Sequence, residues 1–332
     1  MKTTTILGAI ALTAVMATGA MAEAFKPAVV YDFGGRNDRS FNEAAYKGAL
    51  KFKERTGVNF RDFEIQNPSQ REQALRNFAR RGLDPIITIG FAQAAALEKV
   101  AKEFPETHFA IVDAVVDLPN VRSIVFKEGE GSFLVGLLAA NATETDTIGF
   151  VGGMDIPLIR KFACGYKQGA KYVNPDIEII ENMTGTTGAA WTDPLKGGEL
   201  ARSQFARGAD VVFHAAGLTG TGVLQAAADE GKFGIGVDSN QNYLHPGSIL
   251  TSMIKGVDVA VDKTLVDAQE GKWTSGVEVL GLAENGVSWA YDQYNAPLIT
   301  EEMKSAVEQA KMDIISGKVE VHDYMVDSTC PF

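Results

Sequence analysis

Cysteine and histidine are scarce in this chain, two and four among 332 residues. The histidines are dispersed, and neither Cys164 nor Cys330 stands at a ligand spacing from them, so the sequence gives no ground for a metal centre. No glycine run is followed by Gly-Lys-Ser/Thr, which argues against a Walker phosphate loop. No G-x-S-x-G occurs, so a nucleophile elbow is absent as well. Basic residues are outnumbered, 31 Lys and Arg against 42 Asp and Glu, for a net charge of −11. That balance argues against nucleic acid as the main partner. The acidic residues are scattered rather than blocked, as on a solvated surface. Beyond the first residues, no stretch is long and apolar enough to cross a bilayer.

The first residues have a different character. Lys2 precedes an apolar run from Ile6 to Met16, and Ala20-Met21-Ala22 is a small-x-small cleavage site. This reads as a secretory signal peptide over 1–22, with Glu23 beginning the mature chain. No cysteine stands near the cleavage point, so lipid attachment there is not expected. Export into an oxidising compartment invites a disulfide between Cys164 and Cys330. Such a bridge would close a loop of half the chain and contribute about 4–5 kcal/mol in the chain-entropy model. The alternative is two separate thiols, one buried and one in the tail.

The mature length suits two domains of ordinary size. Short apolar runs alternate with helical patterns: strands at 28–32, 61–65, 85–90 and 108–113, and helices at 42–56, 69–81 and 92–103. This alternation predicts a parallel sheet covered by helices. The pattern then begins again. "TIGFVGG" at 147–153 parallels "AVVYDFGG" at 28–35, and "GYKQGAKYV" at 165–173 parallels "AYKGALKFK" at 45–53. "ADVVFHAAG" at 209–217 parallels "DPIITIGFA" at 84–92, and "KFGIGVDSN" at 232–240 parallels "HFAIVDAVV" at 108–116. One offset matches Thr88 to Phe213 and Asp113 to Asp238. Four matches in one order predict two doubly wound α/β lobes on a common plan.

In open parallel sheets the ligand site lies at the carboxyl ends of the strands. The first lobe then offers the loop after Tyr31, Phe91 and Asp113. The second offers the loop after Val151, the segment from Phe213 to Gly217, and Asp238. Within "YDFGGRNDRSFNEAAYKG" at 31–48, Gly34 and Gly35 permit a sharp turn, and Ser40 with Glu43 forms a capping-box pattern. A cap does not account for Asn37 and Asp38 followed by Phe41. An aromatic face beside amide and carboxylate groups suits an aromatic heterocycle, and base–aromatic stacking is worth about 1–3 kcal/mol. Asp113 and Asp238 read either as helix caps or hinge ion pairs, or as acceptors of vicinal sugar hydroxyls. Phe213 alone reads as core packing, and His214 alternates to the other side of its strand. Gly217, Gly220 and Gly222 allow close approach of a ligand or of the next helix. Lys255 either pairs with one of these acids, reaches the ligand or is solvated. Paired carboxylates leave glycosidic hydrolysis open, because their separation is unset.

The stretches "DFGGRNDRSFNEAAYKG", "GFVGGMDIPLIRKFACGYKQGAK", "AAWTDPLKG", "VVFHAAGLTGTGV" and "GVDSNQ" resemble the basic-membrane-protein (BMP) family of ABC-transporter solute receptors, which includes purine nucleoside receptors. The resemblance runs through nearly all of the mature chain. It implies a type I periplasmic-binding-protein fold, two doubly wound parallel-sheet lobes joined by a multi-strand hinge. It implies a base held between Phe41 and Phe213, its polar edge read by Asn37 and Asp38, and a ribose region held by Asp113, Asp238 and Lys255. The implied partners are a small molecule and an ABC permease, for a monomer in the periplasm that needs no cofactor and performs no catalysis. Riboflavin or another heterocycle, a sensor subunit, and a nucleoside-cleaving enzyme remain the alternatives. Lobe one is expected over 23–120 plus 252–278, and lobe two over 121–251 plus 279–332. Hinge strands are expected near 117–130, 246–256 and 277–287, with helix Val257–Gln269 returning to lobe one and helix Glu301–Ser316 to lobe two.

Overall fold

The computed structural model describes residues 25–332. The signal peptide expected over 1–22 lies outside the described residues. The first half of the chain lays down β1 (Ala28–Tyr31), α1 (Phe41–Thr56), β2 (Arg61–Glu64), α2 (Gln70–Arg80), β3 (Ile86–Ile89), α3 (Ala94–Glu103), β4 (Phe109–Val112) and β5 (Val121–Phe126). The second lays down α4 (Glu128–Ala142), β6 (Thr147–Met154), α5 (Pro157–Val173), β7 (Glu178–Gly185), α6 (Pro194–Ala206), β8 (Val211–Ala215), α7 (Gly220–Asp229), β9 (Phe233–Asp238) and β10 (Ile249–Lys255). The chain then returns through α8 (Val257–Gln269) and β11 (Gly276–Leu280), and ends with β12 (Val287–Trp289), α9 (Glu301–Ile315) and α10 (Tyr324–Asp327).

Two six-stranded sheets result, in the orders β11-β5-β4-β3-β1-β2 and β12-β10-β9-β8-β6-β7. Replacing β1–β5 by β6–β10 and β11 by β12 converts one order into the other, so the internal repeat is a repeat of architecture. The last strand breaks the symmetry: β11 runs parallel to β5, whereas β12 runs antiparallel to β10. Strands β1, β3 and β4 are buried at every position, which is why they read as unbroken apolar runs. Edge strand β2 alternates between exposed and half-buried residues.

Three boundaries differ from those expected. Val121 to Ile124 pair in register with β4, so β5 belongs to the first sheet and lobe one continues past residue 120. Thr251 to Ile254 pair with β9, so β10 stays in the second sheet beyond residue 251. Leu280 still pairs with Phe126, which carries the first sheet past residue 278. In each case ladder hydrogen bonding holds the strand to its sheet to its end. The crossings are therefore short, at 126–128, 255–257 and 280–287. Helix α8 packs on α1 of lobe one, and α9 on α4 of lobe two.

Helix α4 is apolar nearly all round, because it is enclosed by β10, β12, α5 and α9. Its approach to α5 is close: a Cβ on Gly169 would stand 1.9 Å from the Phe133 carbonyl oxygen. A disulfide joins Cys164 of α5 to Cys330, with Cα atoms 5.6 Å apart.

Candidate functional site

The loop after β1 turns on Gly34 and Gly35, both at positive φ (100° and 68°). Asp38 then organises the entry into α1. Its Oδ1 accepts the backbone N–H groups of Ser40 (2.9 Å) and Glu43 (3.0 Å). Its Oδ2 accepts the backbone N–H and side-chain amide of Asn42 (3.0 and 3.1 Å). Four donors fill the acceptor positions of one carboxylate, so Asp38 caps this helix. Burial nonetheless pushes its carboxyl upward, against these hydrogen bonds. The capping box expected of Ser40 and Glu43 is not formed: Ser40 makes no side-chain cap bond, because its hydroxyl points across the cleft.

The lobes meet there. Ser40 Oγ donates to Asp238 Oδ2 at 2.5 Å. Ser239 Oγ donates to the Ser40 carbonyl at 3.1 Å, and Gln241 Nε2 to the Arg39 carbonyl at 2.9 Å. At the end of β10, Lys255 is 2 % exposed, and its Nζ stands 2.7 Å from Asp113 and 3.0 Å from Glu128. The same ammonium lies 5.1 Å from the ring centroid of Phe41.

A cavity lies between the lobes. Its polar lining is Asp32, Asp38, Asn42, Asp113, Asp238 and Lys255. Its rings are Phe33, Phe41 and Phe91 from lobe one, and Phe162 and Trp191 from lobe two. Seven residues expected from the sequence therefore come together here: Asp38, Phe41, Phe91, Asp113, Gly217, Asp238 and Lys255.

Two do not. Asn37 opens onto an outer groove beside Arg39, Pro194 and Leu195. Phe213 is fully buried, its ring 5.2 Å from Tyr166 and 5.5 Å from Phe150. Strand β8 continues two residues beyond it, so Ala215 and Gly217 reach the cavity instead. His214 is also buried, against Gln241, and burial lowers its pKa to about 4.

The rings missed from sequence have modest signals. Trp191 sits over Gly153, where a Cβ would fall 2.1 Å from its ring. Leu158, Ile159 and Phe162 have the helical spacing of a core stripe, yet on α5 that stripe faces the cavity. Phe33 lies under the Arg71 guanidinium, which is 5.2 Å away and pairs with Asp32 at 2.9 Å.

Burial pushes Asp113 up to about 6, with the Lys255 ammonium pulling it down. Asp238 also rises to about 6 through burial, resisted by Lys255 and by the Ser40 hydroxyl. Burial alone would lower Lys255, but the carboxylates of Asp113, Glu128 and Asp238 keep it raised and charged. With Lys255 matched by two acids and Arg71 by one, the wall is net acidic. Such a wall accepts hydrogen bonds and opposes phosphate. Its rings offer flat faces for stacking. Among the described residues, no group of three or more His, Cys, Asp or Glu could hold a metal ion.

Comparison with known proteins gives a consistent result. A family model described as ABC transporter substrate-binding protein PnrA-like (Bmp) matches residues 25–324. The ABC transporter nucleoside-binding protein BmpA of Lactococcus lactis subsp. cremoris is 36 % identical over 89 % of this chain and 88 % of its own. A Pyrococcus furiosus protein named as an uncharacterized lipoprotein is 35 % identical over 82 % of this chain and 71 % of its own. The crystal structure of an ABC transporter solute-binding protein from Aeropyrum pernix K1 superposes with a TM-score of 0.83 at 31 % identity, covering 92 % of this chain and 95 % of that one. Among the described residues, no helix is long and apolar enough to cross a membrane.

Proposed function

The chain belongs to the Bmp family of PnrA-like ABC transporter substrate-binding proteins, and from that premise we propose that it is a receptor that closes on a purine nucleoside or nucleobase and delivers it to an ABC permease. The observation that carries this reading is the cavity itself, lying between the two lobes and walled by rings and carboxylates from both. Phe41 and Trp191 are the stacking surfaces in this reading. Asp113 and Asp238, with their carboxylates at opposing strand ends, receive hydroxyl or N–H donors from the ligand.

Closure requires a ligand that touches both lobes, since only differential affinity for the shut form shifts the equilibrium. The three short crossings are the natural hinge. The receptor binds and releases without altering its ligand. In this reading it works as a monomer in the periplasm.

The deciding experiment is calorimetric titration of refolded, ligand-stripped mature protein with inosine, guanosine, adenosine, hypoxanthine, riboflavin and ribose. Tight binding of a purine compound supports the proposal. Heat from riboflavin or ribose alone keeps the receptor and overturns the ligand. Conversion of a nucleoside to base and sugar would overturn the receptor reading.

A further inference from the structure

Helix α5 has two occupied faces. Leu158, Ile159 and Phe162 line the ligand cavity. Lys161, Cys164 and Gln168, three and four residues apart and so on one side of the helix, hold the C-terminal tail. Cys164 is disulfide-bonded to Cys330. Gln168 clasps the backbone of His322 from both sides, donating to its carbonyl at 3.0 Å and accepting from its N–H at 2.8 Å. Lys161 Nζ stands 3.5 Å from Asp323.

Lys161 also reaches inward. It is 8 % exposed, donates to the Phe126 carbonyl at 2.7 Å and pairs with Glu128 Oε2 at 3.0 Å. The other oxygen of Glu128 faces Lys255 at 3.0 Å, and Lys255 holds Asp113 in the cavity wall. An unbroken series of alternating charges therefore runs from the tail to the cleft: Asp323, Lys161, Glu128, Lys255, Asp113. Phe126 and Glu128 flank the first crossing between lobes, and Lys255 opens the second. The tail packs on this same point, because a Cβ on Gly129 would meet Val321 at 3.5 Å and the His322 carbonyl at 3.9 Å. A buried carboxylate between two ammoniums has a defined position only while both are held, and losing one leaves charge uncompensated.

We propose that the C-terminal segment Val321–Phe332 is a strap that positions the ligand site, fixing the cavity face of α5 and, through Lys161 and Glu128, the place of Lys255 in the cleft. Lys161 is a positioning residue in this scheme. The binding arm of its test rests on the purine reading above, whereas the exchange arm does not.

The test compares wild-type mature protein with the Cys164→Ser/Cys330→Ser, Asp323→Asn, Lys161→Met and Lys161→Arg variants. Hydrogen exchange is followed by mass spectrometry without ligand, in peptides spanning 156–163 and 253–257. Adenosine and inosine are then titrated. The double-serine variant and Lys161→Met are expected to exchange several-fold faster in both peptides and to bind about tenfold more weakly. Lys161→Arg, which keeps the charge, recovers most of the affinity. Faster exchange confined to 320–332, with 253–257 unchanged, overturns the proposal. So does Lys161→Arg binding as poorly as Lys161→Met. If Lys161→Met does not fold by circular dichroism, the double-serine and Asp323→Asn variants decide. If the wild type binds neither purine, the ligand reading fails while the exchange result still judges the strap.

Discussion

Asp113 and Asp238 occupy equivalent places in the two lobes: Asp113 directly follows β4 and Asp238 closes β9, the fourth strand of each lobe, and each has φ in the left-handed region, 70° and 63°. Their partners differ. Asp113 is held by an ammonium, Lys255, at 2.7 Å, whereas Asp238 is held across the cleft by a hydroxyl, that of Ser40. The architectural repeat thus delivers two carboxylates to one cavity, and the surroundings make them unequal.

Asp238→Asn should separate stability from binding. The carboxyl has a folded pKa of about 6, above its ordinary 3.8. The folded state therefore takes up protons more readily than the unfolded chain, and stability from this group falls as pH rises from about 4 to about 6. Asparagine removes that cost and tolerates left-handed φ. The variant is expected to be more stable than wild type at pH 7, by on the order of 1–3 kcal/mol, with the gap closing near pH 4. It should also bind ligand more weakly. Urea unfolding at both pH values checks this, and equal stability at pH 7 would refute it.

Phe213→Ala and Phe41→Ala should fail in opposite ways. Phe213 packs in the core, so its loss should cost about 3–5 kcal/mol of stability while the folded fraction keeps near-normal affinity. Phe41 lines the cavity, so its loss should weaken ligand binding by about 1–3 kcal/mol with a smaller effect on unfolding. Paired denaturation and titration curves decide, and matching behaviour of the two variants would contradict the assignment.

Ser40→Ala removes a contact between lobes rather than a helix cap. The expected result is a larger radius of gyration by small-angle scattering without ligand, because Asp238 loses its hydrogen-bond donor from lobe one. Helix content by circular dichroism should stay the same, since Asp38 caps α1. Lost helicity with unchanged scattering would reverse the two roles.

Gly169→Ala tests the α4–α5 contact. The added methyl would fall 1.9 Å from a backbone oxygen, that of Phe133, which cannot rotate away as a side chain could. Overpacking of this kind costs about 1–3 kcal/mol, and more where backbone must move. Thermal unfolding should show the loss, and an unchanged midpoint would mean that the helices separate without cost.

Much of this was legible in the order of residues. Unbroken apolar runs such as Ala28–Tyr31 mark strands buried on both faces. Repetition of those runs in one order marks two lobes on one plan. Strand ends then place Asp113, Asp238 and Gly217 at a cleft, because in parallel sheets the carboxyl ends share a side. These are properties of backbone period and chain direction, which neighbouring residues decide among themselves.

What the tertiary structure decided is where each side chain goes once the lobes meet. Asp38 and Ser40 exchange the roles their local pattern suggests, because the donor that satisfies Asp238 comes from 198 residues away. Phe213 turns into the core and Trp191 takes a place in the wall, since β8 extends past one and Gly153 of β6 makes room for the other. Lys255 is drawn to Asp113 and Glu128 from a strand that lies more than a hundred residues beyond both. Burial and charge balance at a site of this kind depend on groups from distant parts of the chain arriving together, and no local periodicity carries that information.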